Sequence, residues 1–276
     1  MKTVTVQGAT IPALGMGTWE LRGDECARLV ETAIGQGYRH IDTAQMYQNE
    51  REVGEGIRAS GVQRDEIFLT TKIWPDCHAA DDFARAVDER LNLLDCGPVD
   101  LLLLHWPSRE VPLAETINAL NKARSSGFTR HIGISNFTVS QVSEAVKLSD
   151  APLICNQIEY HPLINQTKLL AACRAHGLAI TAYCPIARNR VADEPVMQEI
   201  AARHGVSPAD VTLAWHMTQG DVMAIPRSSR PERLASNLAA AQLALSDEEM
   251  SAIDALKLQH MRLCEPASVA PVWDQP

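Results

Sequence analysis

Four short apolar runs in this chain each end in a reactive polar residue, and the endings fall at nearly constant intervals. Tyr38-Arg39-His40-Ile41 leads to Asp42, Ile67-Phe68-Leu69-Thr70-Thr71 to Lys72, Leu101-Leu102-Leu103-Leu104 to His105, and His131-Ile132-Gly133-Ile134 to Ser135. The spacings are 30, 33 and 30 residues, about the length of one strand–helix unit. Repeating such a unit runs successive strands in one direction and brings their ends to one rim of a parallel sheet. When eight units close into a barrel, that C-terminal rim carries the chemistry, whereas the opposite rim serves stability. The rhythm predicts a fold and the face of it that holds a site.

The rest of the chain keeps this alternation. Residues 3–12 alternate at period two around Gln7-Gly8, which predicts a hairpin ahead of the first unit. A strand over 14–18 precedes a helix over 24–34, where Cys26, Leu29, Val30 and Ala33 keep helical spacing until Gly35 and Gly37 stop it. Helices over 50–59, 81–94, 113–125, 139–149 and 166–176 follow the next five strands. The strand over 178–184 is followed by two helices, 194–204 and 208–218, then by a last strand over 222–226 and a closing helix over 231–241. Eight strands without a reversal predict an α/β fold, a (β/α)8 TIM barrel in one domain over 1–276. It has an N-terminal β-hairpin and an irregular C-terminal tail, 260–276, near the active-site rim. A length of 276 residues suits one such barrel.

A net charge of −9 argues against nucleic-acid or anionic-membrane partners, and no apolar stretch approaches the length of a membrane span. The N-terminus lacks the apolar segment of a signal peptide. Seven cysteines with no Cys-x-x-Cys pair fit reduced thiols in the cytoplasm better than a disulfide framework or zinc site.

On the predicted rim, Asp42, Lys72 and His105 come from adjacent strands, and Tyr47 lies five residues past Asp42 in a loop that can fold back over them. The set makes sense as a proton donor. A phenol is a poor acid at neutrality; a neighbouring ammonium lowers its pKa, and a carboxylate keeps that ammonium charged and in place. An imidazole alongside can orient a substrate oxygen. Such a group would protonate a carbonyl oxygen as hydride attacks its carbon.

These residues sit in longer motifs. The stretch from Gly37 to Glu50, with Tyr38-Arg39-His40-Ile41-Asp42-Thr43-Ala44 and Tyr47, resembles the first signature of the aldo-keto reductases. Val99-Asp100-Leu101-Leu102-Leu103-Leu104-His105-Trp106-Pro107 resembles their fourth-strand motif, and Ile132-Gly133-Ile134-Ser135-Asn136-Phe137 their fifth. Ile225-Pro226-Arg227-Ser228 with Arg233 and Asn237 resembles their cofactor-phosphate motif. Within that family, Arg262-Leu263 and the ending Ala270-Pro271-Val272-Trp273-Asp274 are most similar to bacterial 2,5-diketo-D-gluconate reductases. The resemblance implies that Tyr47 is the general acid, supported by Asp42, Lys72 and His105.

The reaction needs a hydride source that no side chain supplies, so a nicotinamide cofactor is expected. Gly15-Met16-Gly17 is not a dinucleotide fingerprint, because Glu20 stands where the third glycine belongs. The resemblance instead implies NADPH (NADP+) across the barrel mouth. Ser135, Asn136 and Gln157 would hold the carboxamide, Tyr183 would stack on the ring, and Thr18 and Asp42 would lie close by. Arg227, Ser228, Arg230, Arg233 and Asn237 would serve the phosphate end, where a basic cluster opposes the acidic balance of the chain. Arg227 replaces the family's more frequent lysine, and Ser236 a frequent glutamate.

Trp19, Trp74 and Trp106 follow strand ends and, with His105 and Trp273 of the tail, are expected to wall a pocket for a small-molecule carbonyl substrate. Candidates include 2,5-diketo-D-gluconate or a 2-oxoaldehyde, reduced by a monomer. Two other classes compete. One is a cofactor-binding redox-sensing subunit without useful turnover, which the complete Asp42, Tyr47, Lys72, His105 set disfavours. The other is a metal-dependent hydrolase using Asp42, His105 and His161, which the lack of paired-histidine spacing disfavours; no metal is expected.

Overall fold

The computed structural model describes residues 2–276. Strands β1 (Thr3–Val6) and β2 (Ala9–Pro12) pair antiparallel, with Val4 opposite Ile11. Their turn has Gln7 at φ 47° and Gly8 at φ 85°, the two left-handed residues that a two-residue hairpin turn needs to match strand twist. Gln7 Nε2 donates to the carbonyl of Gly177, which lies just before a barrel strand begins. The hairpin therefore covers the N-terminal mouth.

Eight parallel strands follow in consecutive order: β3 (Met16–Gly17), β4 (His40–Asp42), β5 (Phe68–Ile73), β6 (Val99–Leu104), β7 (Thr129–Ser135), β8 (Leu153–Glu159), β9 (Ala179–Tyr183) and β10 (Val222–Ala224). The ring closes between its first and last members. Leu14 bridges Ala224 and Gly17 bridges Arg227, with Gly15 N–H donating to Ala224 at 2.8 Å and Ala224 N–H to Ala13 at 2.8 Å. The register sets Asp42 level with Gly17 and Thr70, Ser135 level with Gln157, and Glu159 level with Tyr183. The polar strand ends thus share one rim.

Helices α1 (Gly23–Gly35), α2 (Glu50–Ala59), α3 (Ala80–Leu94), α4 (Leu113–Ser125), α5 (Val139–Leu148), α6 (Thr167–Ala175), α7 (Pro195–His204), α8 (Pro208–Thr218) and α9 (Pro231–Ala240) surround the ring close to their predicted positions. The alternation did not predict α10 (Asp247–Ala255), because this helix is not part of a strand–helix unit. Its start was nonetheless readable. Ser246 Oγ accepts the Glu249 N–H and the Glu249 carboxylate accepts the Ser246 N–H, the reciprocal capping written as Ser-x-x-Glu. No helix among the described residues is long and apolar enough to cross a membrane.

Two glycines inside α2 would normally weaken a helix. They are there because the helix touches backbone on both sides. A Cβ on Gly54 would lie 1.8 Å from the Leu94 carbonyl oxygen at the end of α3, and one on Gly56 2.5 Å from that of Ala27 in α1. Gly54→Ala should therefore cost about 1–3 kcal/mol despite its better helix propensity, as overpacked sites do. Urea unfolding checks this; a stability equal to or above wild type would refute the close-approach account.

Candidate active site

Lys72 runs through the barrel interior with no solvent exposure. Its ammonium donates to Asp42 Oδ1 at 2.6 Å, to the Thr43 carbonyl at 2.8 Å and to the Tyr47 hydroxyl at 3.3 Å. Asp42 Oδ2 accepts Gln157 Nε2 at 2.8 Å from the far side of the ring. Burial presses the Lys72 pKa down, but the carboxylate and phenol more than restore it and leave it raised. The lysine is a cation without water around it.

Tyr47 ends a short 3-10 turn, Gln45–Tyr47. The turn is held from below by Asn49, which accepts from Thr43 Oγ1 at 2.8 Å and donates to the carbonyls of Thr18 and Leu21. Gln45 Oε1 accepts the Trp74 N–H, and Arg22 donates to the Tyr47 carbonyl. Contrary to the sequence expectation, the Tyr47 pKa is raised. Burial pushes it up, and the pull of Lys72 in the other direction is smaller. The phenol therefore holds its proton at neutral pH.

His105 is buried edge-on to Tyr47, with ring centroids 5.7 Å apart, and to Trp74 at 5.1 Å. Burial, followed by the Lys72 charge, holds its pKa well below the ordinary histidine value, so the imidazole is neutral. Its Nδ1 is buried without a hydrogen-bond partner.

The expected carboxamide residues form one connected row. Ser135 Oγ donates to the Gln157 carbonyl at 2.8 Å, Asn136 Nδ2 to Ser135 Oγ at 3.1 Å and to the His105 carbonyl at 2.9 Å, and the Tyr183 hydroxyl to Asn136 Oδ1 at 2.7 Å. Thr18 is buried, its hydroxyl on the Asp42 carbonyl; it braces the strand end. At the expected phosphate end, Arg227 Nε donates to the Trp19 carbonyl, and Ser228 Oγ accepts the Arg230 N–H. Arg227, Arg230 and Arg233 are exposed around the start of α9, whose N-cap Arg230 makes no side-chain capping bond. Asn237 lies on the buried face of that helix, against Tyr38.

The tryptophans divide into two groups. Trp19 packs edge-on to Tyr47 at 4.9 Å and Trp74 to His105. Trp106 meets Trp273 of the tail at 6.1 Å, in a small apolar cluster with Val269 and Ala270 that Trp74 packs against. Arg262 lies over Trp273, its Cζ 3.8 Å from the ring centre.

Sequence reasoning missed what docks this tail. Glu159, fully buried at the end of β8, accepts the N–H groups of Leu263 at 2.7 Å and Cys264 at 2.9 Å. Arg109 donates to the Ala270 carbonyl, and Asp274 accepts the Val139 N–H. Backbone donors leave no mark in a sequence, although a carboxylate at a strand end was a visible hint. His161 is hydrogen-bonded to Glu159, and among the described residues it forms no ligand cluster with Asp42 and His105.

The aldo/keto reductase family model matches residues 13–258. The chain belongs to the aldo/keto reductase family. It is an oxidoreductase acting on carbonyl groups, in a family that generally uses NAD(P)H. Methylglyoxal reductase DkgB of Salmonella typhimurium is 43% identical over 268 residues, covering 96% of this chain and 100% of the relative. Glyoxal reductase of Bacillus subtilis is 36% identical, covering 90% of each. The crystal structure of a candidate 2,5-diketo-D-gluconic acid reductase B superposes on this reductase with a TM-score of 0.97 at 46% identity, covering 100% of this chain and 98% of the other.

Removing one member of the buried ion pair strands the other. Lys72→Met should destabilise this reductase by about 3–5 kcal/mol, and adding Asp42→Asn should recover part of the loss. Urea denaturation of the single and double variants measures the coupling; a double variant as unstable as the sum of the two singles would show the pair is not coupled.

Proposed function

We propose that this reductase transfers a hydride from NADPH to the carbonyl carbon of a small or sugar-derived aldehyde or ketone, and that Tyr47 gives the proton to the oxygen. One observation carries the reading: a protonated phenol stands 3.3 Å from a buried ammonium, beside a neutral imidazole. The bound reduced nicotinamide supplies the hydride when present.

Tyr47 Oη and His105 Nε2 are the two donors offered to the substrate oxygen, which gains negative charge as the reaction proceeds. With Nδ1 buried and unpartnered, the imidazole proton is assigned to Nε2. As Tyr47 gives up its proton, the Lys72 ammonium stabilises the forming phenolate without having to reorganise. Asp42 and the Thr43 carbonyl hold that ammonium in place. Trp19, Trp74, Trp106 and Trp273 supply apolar walls that exclude water from the carbonyl.

The residues present fit a nicotinamide nucleotide. Gln157 gives its Nε2 to Asp42 and keeps Oε1 for a carboxamide N–H, and Asn136 Oδ1 has a second lone pair to offer. The uncapped start of α9, with Ser228 and three exposed arginines, suits the 2′-phosphate that distinguishes NADPH from NADH. The names of the relatives support dicarbonyls such as a 2-oxoaldehyde or 2,5-diketo-D-gluconate as substrates. The same reading takes residues 1–276 as one domain working as a cytoplasmic monomer, in keeping with seven unpaired cysteines.

Loss of NADPH absorbance against a carbonyl panel tests the proposal. Tyr47→Phe keeps the ring and should lower kcat by about 10²–10⁴-fold; unchanged turnover would sink the mechanism. Arg233→Ala should raise KM for NADPH by roughly tenfold or more while leaving that for NADH little changed. Equal losses for both cofactors would reject the phosphate site. Because burial raises the phenol pKa, the donor is protonated throughout the neutral range. kcat/KM should stay flat there and fall only as pH climbs into the alkaline range; a fall centred near neutrality would contradict this.

A further inference from the structure

Outside the proton-delivery group, a second cluster of reactive side chains lies on the same rim. The ligand atoms of Glu159, Cys184 and Cys264 all fall within 4.8 Å of one another. Cys184 directly follows Tyr183 at the end of β9, and Cys264 belongs to the docked tail; both are half-buried and carry free thiols. The exposed Arg188 brings Nη2 to 3.7 Å from Cys264 Sγ. The Cys184 thiol facing it, and then this guanidinium, hold Cys264 below the ordinary thiol pKa, whereas the same contact and burial push Cys184 up. Cys264 is thus the easier of the two sulfurs to deprotonate, and Cys184 faces it as its thiol partner. Cys26, Cys155 and Cys173 are buried instead, and burial pushes each up to about 12.

Two thiols and a carboxylate could also suggest a metal ion, but the surroundings oppose a cation. Glu159 Oε1 already takes the Leu263 N–H and His161 Nε2, and Oε2 takes the Cys264 N–H. Two guanidiniums flank the cluster, Arg188 and, 4.0 Å from Oε2, Arg262. Three of the carboxylate's lone pairs are already taken, and the nearby side-chain charge is positive.

We propose that Cys184 and Cys264 form a reversible disulfide in response to hydrogen peroxide, fastening the C-terminal tail to the end of β9 and suppressing carbonyl reduction. The Cys264 thiolate attacks one peroxide oxygen; the O–O bond breaks, the sulfur becomes a sulfenic acid, and the departing hydroxide takes up a proton to leave as water. Cys184 then attacks that sulfur; the S–S bond forms, the S–O bond breaks, and the hydroxyl leaves with the Cys184 proton as a second water. Two thiols lose two electrons and two protons, and peroxide is reduced to water. A dithiol reductant reverses the step.

The cost to turnover follows from where the movement falls. A disulfide needs its sulfurs about 2.05 Å apart. The Cys264 backbone is pinned on Glu159, so the shift falls on the Cys184 segment. That segment is already strained, with Cys184, Ala187, Arg188 and Asn189 all at left-handed φ of 50° to 70°. Tyr183, one residue away, is tied to Asn136 and so to the row behind His105.

The test treats the full-length reduced protein with hydrogen peroxide, then maps unreduced peptides and measures turnover. A linked Cys184–Cys264 peptide should accumulate in step with a roughly ten- to hundredfold fall in turnover, and dithiothreitol should restore both. Cys184→Ser and Cys264→Ser should keep the basal activity and resist this reversible loss, and Cys184→Ser should retain a dimedone-reactive sulfenic acid at Cys264. Full cross-linking without loss of turnover, or equal reversible loss in both serine variants, would overturn the proposal. So would tightly retained zinc that protects both thiols. The peptide map reads the cross-link without any catalytic assay, so its failure is distinguishable from failure of the proposed mechanism.

Discussion

The buried pairing of Lys72 with Asp42 is the constraint around which this structure is arranged. Removing two charges from water costs several kcal/mol per ion, which a contact at 2.6 Å offsets only when the remaining donors and acceptors are also satisfied. Here the Thr43 carbonyl and Tyr47 hydroxyl complete the ammonium, and Gln157 reaches across the ring to complete the carboxylate. The pair and these partners come from three strands, β4, β5 and β8, and the loop after β4. Only a barrel closed in the right register brings them together, so the pair contributes specificity of arrangement more than net stability.

The same surroundings divide protonation states between two neighbours. Removal from water favours the neutral form of both Tyr47 and His105. Lys72 opposes that trend at the phenol and reinforces it at the imidazole. The outcome is one phenol and one imidazole, each able to donate a hydrogen bond, beside a cation that neither can neutralise. Such a site is ready before any substrate arrives, and this readiness is where electrostatic catalysis gets its advantage over water.

What could be read in advance follows from what leaves a periodic trace. Strand ends at Asp42, Lys72, His105 and Ser135 were legible because apolar runs buried on both faces are conspicuous and end abruptly at polar residues. The barrel followed from the uninterrupted alternation, but α10 did not, because it lies outside any strand–helix unit. Contacts were legible where they depend on residue type, as for Tyr47 with Lys72. The direction of the Tyr47 pKa was not, because it depends on the depth of burial, which spacing does not encode. Thr18 and Asn237 illustrate a further limit. Spacing does not encode that in the folded chain one braces the Asp42 backbone and the other faces Tyr38.

The tail shows why substrate choice is less legible than reaction class. Its docking depends on backbone groups: the N–H of Leu263 and Cys264 on Glu159, the Ala270 carbonyl on Arg109, the Val139 N–H on Asp274. Such bonds accept almost any side chain on the backbone partner, so the residues between them can change while the tail stays seated. Trp273 reaches Trp106, and through that cluster Trp74 beside His105, by way of this tolerant attachment. The Asp42, Tyr47, Lys72 and His105 group, by contrast, is locked to side chains in the barrel interior. Under the proposed mechanism, the chemistry is thereby fixed by the part of the fold least able to vary, and the proposed substrate wall is held by a part that can vary without disturbing it.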